Sequence, residues 1–316
     1  MKKTVENLGA QILKGDRLAV ARVMTLIEND DDHAFELLNI LFPHTGTAYR
    51  LGITGPPGAG KSTLTSHLTK ILRNDKCRVG IIAVDPTSPF TGGAILGDRI
   101  RMNDLTLDQG VFIRSVASRG SSGGLARQAN EMADILDAAG YDIIIFETVG
   151  VGQVELDVAA AADTTMVLMV PESGDIIQGL KAGLMEIADV FVLNKSDRPG
   201  AERMKMDIEY VLHLRDADPW SPKVMETIAH QAAGITEVWK EVQRHQTYLL
   251  STDNLKRKRE QRLKIRIERI IRDKIEKQFW TVRRREILQA YLKEEKKDMS
   301  PYRLSEEMLS KILSDI

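Results

Sequence analysis

The chain has 316 residues, 43% of them hydrophobic, a formal net charge of −1 and a single cysteine, Cys77. The length suits one large α/β domain with extensions, or two small domains, and near-neutrality excludes a global field that draws the protein to nucleic acid or a membrane surface. One cysteine excludes an internal disulfide, no apolar run reaches membrane-spanning length, and the start MKKTVENLGAQILKGDRL lacks the apolar core of a signal peptide, so a cytoplasmic protein is expected.

Residues 1–46 read as a helical N-terminal extension. Leu18, Val20, Val23, Leu26 and Ile27 recur at helical spacing, and Phe35, Leu37, Leu38 and Leu41 repeat the pattern. From Tyr49 the period changes. Seven short apolar runs follow: YRLGIT, RVGIIAV, VFIRSVA, DIIIFE, TMVLMV, VFVLN and KVMETIA. Most intervals between them can hold a helix. Such alternation predicts an α/β domain over 47–250, with a mostly parallel central sheet flanked by helices.

Beyond Leu250 the composition shifts, and 253–298 hold 17 Lys or Arg against 9 Asp or Glu. Leu263, Ile267, Ile270, Ile271, Ile275, Phe279 and Val282 are mostly three or four apart, which predicts one long amphipathic helix within a helical C-terminal arm, 251–316. Its apolar stripe must be buried, and so charged a helix is marginal alone, so the arm is expected to join a homodimer. With few aromatics there, the basic residues read as the solvated face of a packing helix and not as a nucleic-acid surface. The six histidines are scattered without paired ligand spacing.

The first apolar run leads into GPPGAGKST, which fits G-x-x-x-x-G-K-[ST] with strand before and helix after: a P-loop. In Gly55, Pro56, Pro57, Gly58, Ala59 and Gly60, the glycines let the backbone curl so that N–H groups point inward at phosphate oxygens. The helix that follows, starting near Lys61, Ser62 and Thr63, adds its positive end. Lys61 can reach the β and γ phosphates, and the Ser62 hydroxyl can ligate Mg2+. Glu147 ends the run IIIFE, where a carboxylate near the P-loop can hold Mg2+ through water. Gly150, three residues on, offers a bare N–H to a γ-phosphate, so ETVG reads as a sensor of that phosphate.

NKSD follows another apolar run. Asp197 can accept from N1–H and the exocyclic amine of guanine, Asn194 can bond the base edge, and the Lys195 stem can pack on the ring; after a P-loop and E-x-x-G this argues for GTP over ATP. Asp85, at the end of the second run, and Asp98 could approach the metal or attacking water if their loop folds over the phosphates. Either could instead cap a helix, and Arg99 and Arg101 read as a solvated helix face.

GPPGAGKST, VDPTSPFTGGAILGDRIRM, RGSSGGLA, ETVGVGQVE and NKSD together resemble the methylmalonyl-CoA mutase-associated GTPases, cobalamin-chaperone G proteins formerly labelled arginine/ornithine transport kinases. The similarity spans about Ala19 to Trp239. It implies a P-loop NTPase core with a helical N-terminal extension and a C-terminal dimerisation arm. It also implies GTP hydrolysis with Mg2+, and a cobalamin-dependent acyl-CoA mutase as partner, whose adenosylcobalamin the GTPase delivers and protects. Carried over, Lys61 and Ser62 are the phosphate and metal residues, Asp85, Asp98 and Glu147 the acids around Mg2+ and water, and Asn194, Lys195 and Asp197 the guanine motif. SGDIIQGLKAG, from Ser173, matches a third switch facing the mutase.

Some residues depart from that pattern. Ile176 stands where an acid is expected in the third switch. Ile228 replaces the serine of the last base-contacting motif, while Ala229 is kept. Pro56 and Pro57 occupy the place of a second P-loop lysine that would reach across a dimer. DDHAFE, from Asp31, lacks the glycine of D-x-H-x-x-G, so no tightly held cobalamin is expected. A metal-insertion GTPase of the same class is the alternative, and it would need a Cys/His cluster that this chain does not offer. A chain ended after Leu250 is expected to be a monomer that still binds GDP.

Overall fold

The computed structural model describes residues 2–86, 103–118, 124–148, 154–171, 183–214, 219–293 and 300–313. Three helices come first: α1 (Lys2–Leu13), α2 (Arg17–Glu28) and α3 (Asp32–Leu41). Asp16 accepts from the Leu18 and Ala19 amides, and Asp31 from the His33 amide, so α2 and α3 each begin where a carboxylate satisfies otherwise unpaired N–H groups.

The segment that follows alternates between strand and helix. Its elements are β1 (Tyr49–Thr54), α4 (Lys61–Asn74), β2 (Val79–Pro86), α5 (Asn103–Thr106), β3 (Val111–Ser118), α6 (Gly124–Ala138), β4 (Ile143–Thr148), α7 (Val154–Ala161), β5 (Thr164–Met169), α8 (Leu184–Ile187), β6 (Val190–Asn194), α9 (Ala201–His213), β7 (Val224–Thr227) and α10 (Ile235–Ser251). The seven strands fall on the seven apolar runs. All pair in parallel, in the order β3-β2-β4-β1-β5-β6-β7. The strands β1, β4, β5 and β6 are buried at every position, which is why they read as unbroken apolar runs and not as alternating ones.

Neighbouring residues of one strand serve opposite layers. Ile144 and Phe146 join Val20, Val23, Met24 and Leu37 of the N-terminal helices and Met132 and Leu136 of α6. Ile143 and Ile145 join Leu64 and Leu68 of α4 and Val238 and Val242 of α10. The extension therefore supplies part of one covering layer. In the sheet, β1 lies between β4 and β5, so the crevice at the carboxyl ends of these strands is where an open α/β sheet receives a ligand.

Three helices close the chain: α11 (Asn254–Phe279), α12 (Val282–Lys293) and α13 (Pro301–Leu313). The one long helix expected through Val282 is two. The Arg284 guanidinium bonds the Gln278 and Phe279 carbonyls, and Thr281 Oγ1 accepts from Arg284 N, so one helix is closed and the next opened at the same place. Contacts divide the chain into two units, Met1–Arg262 and Leu263–Ile316. In the second, Tyr291 Oη donates to Glu307 Oε1 at 2.7 Å. Among the described residues no helix is long and apolar enough to cross a membrane.

The first unit extends past Leu250 because the root of α11 is tied to the amino ends of β1 and β5. Asp163, 0% exposed, accepts from Arg50 N at 3.0 Å, Arg259 Nη2 at 2.7 Å and Arg262 Nη2 at 2.5 Å. Arg259 also donates to the Gly46 and Ala48 carbonyls, and Lys258 Nζ to the Asp163 carbonyl and to Asp189. From the other side, Asp137 accepts from the amides of Gly46 and Ala48.

Beside this cluster lies a buried histidine. His245 bonds Thr164 Oγ1 through Nδ1 at 2.7 Å, and its Nε2 lies 3.5 Å from Asp189 Oδ1. Burial pushes its pKa down, Lys258 and Arg244 act in the same direction, and Asp189 and Glu241 oppose them. The folded state thus holds fewer protons than the unfolded chain once pH falls through the ordinary histidine value. Stability should be complete above about pH 6.5 and decline below it. Thermal denaturation at about pH 8 and about pH 5.5 checks this: the drop between them should shrink in His245→Asn, which keeps polar atoms near Thr164 but does not titrate.

Candidate nucleotide site

The P-loop joins β1 to α4 at the crevice. Gly55, Gly58 and Gly60 adopt positive φ, and Gly60 stands at the N-cap of α4. Two of these are fixed by close approach as well as by backbone: a Cβ on Gly55 would collide with the Leu168 carbonyl, and one on Gly60 with Asn194 Nδ2. The Ala59 amide donates to the Pro56 carbonyl, closing the turn. Pro57 and Gly58 are exposed at its tip, and Thr63 is exposed on α4. Lys61 is buried and donates to the carbonyls of Gly55 at 2.7 Å and Pro56 at 2.9 Å. Its ammonium thus lies inside the loop that the sequence assigns to phosphates.

Ser62 Oγ donates to Glu147 Oε1 at 2.5 Å, and next to that pair Thr54 and Thr148 bond through their hydroxyls at 3.0 Å. The pairing of Ile53 with Glu147 across β1 and β4 sets this register and brings the strand-end acid to the first turn of α4. A hydroxyl and a carboxylate side by side are hard oxygen donors, the set that Mg2+ takes together with water and phosphate oxygens. Ser62 and Glu147 would hold that ion, which would neutralise charge on the phosphates.

Asn194, at the end of β6, makes three hydrogen bonds within the protein. Its Nδ2 donates to the Ala59 carbonyl at 2.7 Å, and its Oδ1 accepts from Ala229 N at 2.9 Å and Thr227 Oγ1 at 3.1 Å. The side chain given a place on the base edge by sequence also ties the phosphate loop to the segment after β7. Lys195 has φ +58°, and Asp197 is exposed. The Ile228 amide donates to the Ala233 carbonyl, and Ala229, the retained member of the last base motif, reaches Asn194 through its amide.

Asp85 lies in β2, paired with Ala117 of β3. Asp98, Arg99, Arg101 and Gly150 lie outside the described residues, as do Ser173 to Lys181. One further acid, the last residue of ETVGVGQVE, was given no role by the sequence. Glu155, in the first turn of α7, is 7% exposed; burial pushes its carboxyl up, and the Lys61 charge opposes that. The signal was its place at the end of ETVGVGQVE, and no role was drawn from it because an acid in a first turn ordinarily reads as a solvated partner of the helix dipole.

Residues 20–284 match the family described as the methylmalonyl-CoA mutase-associated GTPase MeaB. The GTPase ArgK of Escherichia coli is 40% identical over 79% of this chain and 78% of its own length. The mitochondrial methylmalonic aciduria type A homolog of Mus musculus is 34% identical over 89% of this chain and 72% of its own length. Among solved structures, a LAO/AO transport system kinase superposes with a TM-score of 0.76 at 30% identity, over 99% of each chain, with the same P-loop NTPase-type architecture. The chain belongs to the family of methylmalonyl-CoA mutase-associated GTPases and is a GTPase.

Proposed function

We propose that this GTPase gates delivery and protection of adenosylcobalamin on a cobalamin-dependent acyl-CoA mutase of the methylmalonyl-CoA mutase type. The observation that carries the reading is the family match over 20–284, a family described by its association with that mutase; a mouse relative named for methylmalonic aciduria supports it. In this reading GTP and GDP bind with Mg2+ between Lys61, Ser62 and Glu147, with Asp85 and Asp98 closing on the metal and attacking water. Gly150 reads the γ-phosphate, and Asp197, supported by Lys195 and Asn194, reads guanine. The change passes through the third switch near Asp175 and Lys181 to the mutase. The protein acts in the cytoplasm and holds no cobalamin tightly itself.

The arm is proposed to make a homodimer. On α11, Ile271 and Ile275 are 52% and 62% exposed, and no residue of that helix is buried, so its apolar stripe is open to a second copy.

The test measures GTP hydrolysis with and without the mutase, and adenosylcobalamin loading with GTP, GDP and a non-hydrolysable analogue. Hydrolysis should accelerate and loading should differ among nucleotides. Unchanged hydrolysis together with nucleotide-independent loading overturns the reading.

A further inference from the structure

The backbone pairing of β1 with β4 runs from Tyr49–Ile143 to Ile53–Glu147 and ends there. One residue further on, Thr54 pairs with Val167 of β5, and Thr148 with Val84 of β2. Each threonine stays with its outer neighbour, and the two strands are joined instead by side chains. Thr54 Oγ1 and Thr148 Oγ1 lie 3.0 Å apart, in residues 0% and 1% exposed. Among the described residues neither hydroxyl has another partner.

Both threonines adjoin the site. Thr54 directly precedes Gly55, whose carbonyl accepts from Lys61, and Thr148 directly follows Glu147, whose Oε1 accepts from Ser62 Oγ at 2.5 Å. Successive strand residues point to opposite faces. Ile143 and Ile145 pack with α4, the side on which Glu147 meets Ser62, whereas Ile144 and Phe146 pack on the other side, to which Thr148 belongs. Thr54 shares that side with Gly52, where a Cβ would meet Val158 of α7. The hydroxyl bond therefore lies across the sheet from Ser62 and Glu147 and acts on them through the main chain. Glu147 is the last residue of its ladder with β1, where strand ends loosen, while a metal ligand has to be held to within about 0.5 Å.

We propose that Thr54 and Thr148 are positioning residues for Mg2+: their hydroxyl bond clasps the ends of β1 and β4 and fixes Glu147 at the spacing from Ser62 that the ion requires. The inference rests on the reading of Ser62 and Glu147 as the Mg2+ pair.

The experiment is calorimetric titration of Mg2+ into the GDP complexes of the wild type, Thr54→Val, Thr148→Val, the double valine variant, Thr148→Ser and Ser62→Ala, with denaturant unfolding of each. Valine keeps the branched shape and removes the hydroxyl. The half-saturating Mg2+ concentration should rise about tenfold in each valine variant, as when a group that orients a metal ligand is lost. Thr148→Ser, which keeps the hydroxyl, should stay close to wild type. Each single valine variant leaves one buried hydroxyl without a partner and the double variant leaves none, so the unfolding midpoint should recover in the double variant while Mg2+ affinity stays low. Recovery of Mg2+ affinity together with the midpoint marks the pair as merely structural and overturns the inference. Wild-type Mg2+ affinity in the valine variants, with Ser62→Ala impaired, also overturns it and leaves the Mg2+ reading standing. If Ser62→Ala binds Mg2+ as the wild type does, that reading fails and the inference falls with it.

Discussion

Lys61→Ala should lower the rate of GTP hydrolysis by on the order of 10²–10³-fold, with far smaller effects on folding. The buried ammonium is fixed in advance by the Gly55 and Pro56 carbonyls, so little reorganisation is needed to meet charge that develops between the β and γ phosphates. Removing it deletes the interaction where it is worth most, in the transition state. Single-turnover hydrolysis at saturating GTP separates this from weaker binding. A variant with wild-type turnover would remove Lys61 from the chemistry.

The second large effect concerns stability. A chain ended after Leu250 should be less stable than one ended after Arg262 by about 3–5 kcal/mol. The shorter chain lacks Lys258, Arg259 and Arg262 but keeps Asp163, which is 0% exposed, so a buried carboxylate is left without its cations. The chain ended after Leu250, expected from sequence to be a nucleotide-binding monomer, is thus predicted to be a less stable one than the chain ended after Arg262. Adding Asp163→Asn to the shorter chain should recover part of the loss, since the penalty is the stranded charge. Denaturant unfolding of the three proteins decides; equal midpoints for the two lengths would refute the account. In the full chain burial pushes the Asp163 carboxyl up, but the charges and hydrogen bonds of Arg262 and Arg259 outweigh it, and its pKa lies below the ordinary value. The stabilisation from this cluster is therefore complete above about pH 4 and is lost as pH falls further.

The strands were legible because a parallel sheet covered on both faces leaves unbroken runs such as IIIFE and VFVLN, and any local reading finds them. The P-loop was legible because positive-φ glycines and a following lysine obey a fixed spacing. Proximity between distant residues was not. Nothing in the neighbourhood of Asp163 announces Arg259 or Arg262, roughly a hundred positions later, and their ion pairs follow no periodicity. Glu155 was missed for the same reason: its setting depends on Lys61, on another helix. The break after Phe279 was missed because the apolar spacing runs on across it, while Arg284 and Thr281 close and reopen the helix through groups that carry no hydrophobic signal.

The three hydrogen bonds of Asn194 have a thermodynamic consequence. Its amide nitrogen holds Ala59, and its carbonyl holds Thr227 and Ala229, so the two halves of the pocket share one side chain. Free energies of groups that share a partner do not add. The nucleoside and the polyphosphate, measured as separate fragments, then give free energies that cannot simply be summed to that of the intact nucleotide. On the proposed guanine reading, disturbing the segment after β7 should also loosen the phosphate loop, and discrimination between bases is then expected to be carried partly in the grip on phosphate.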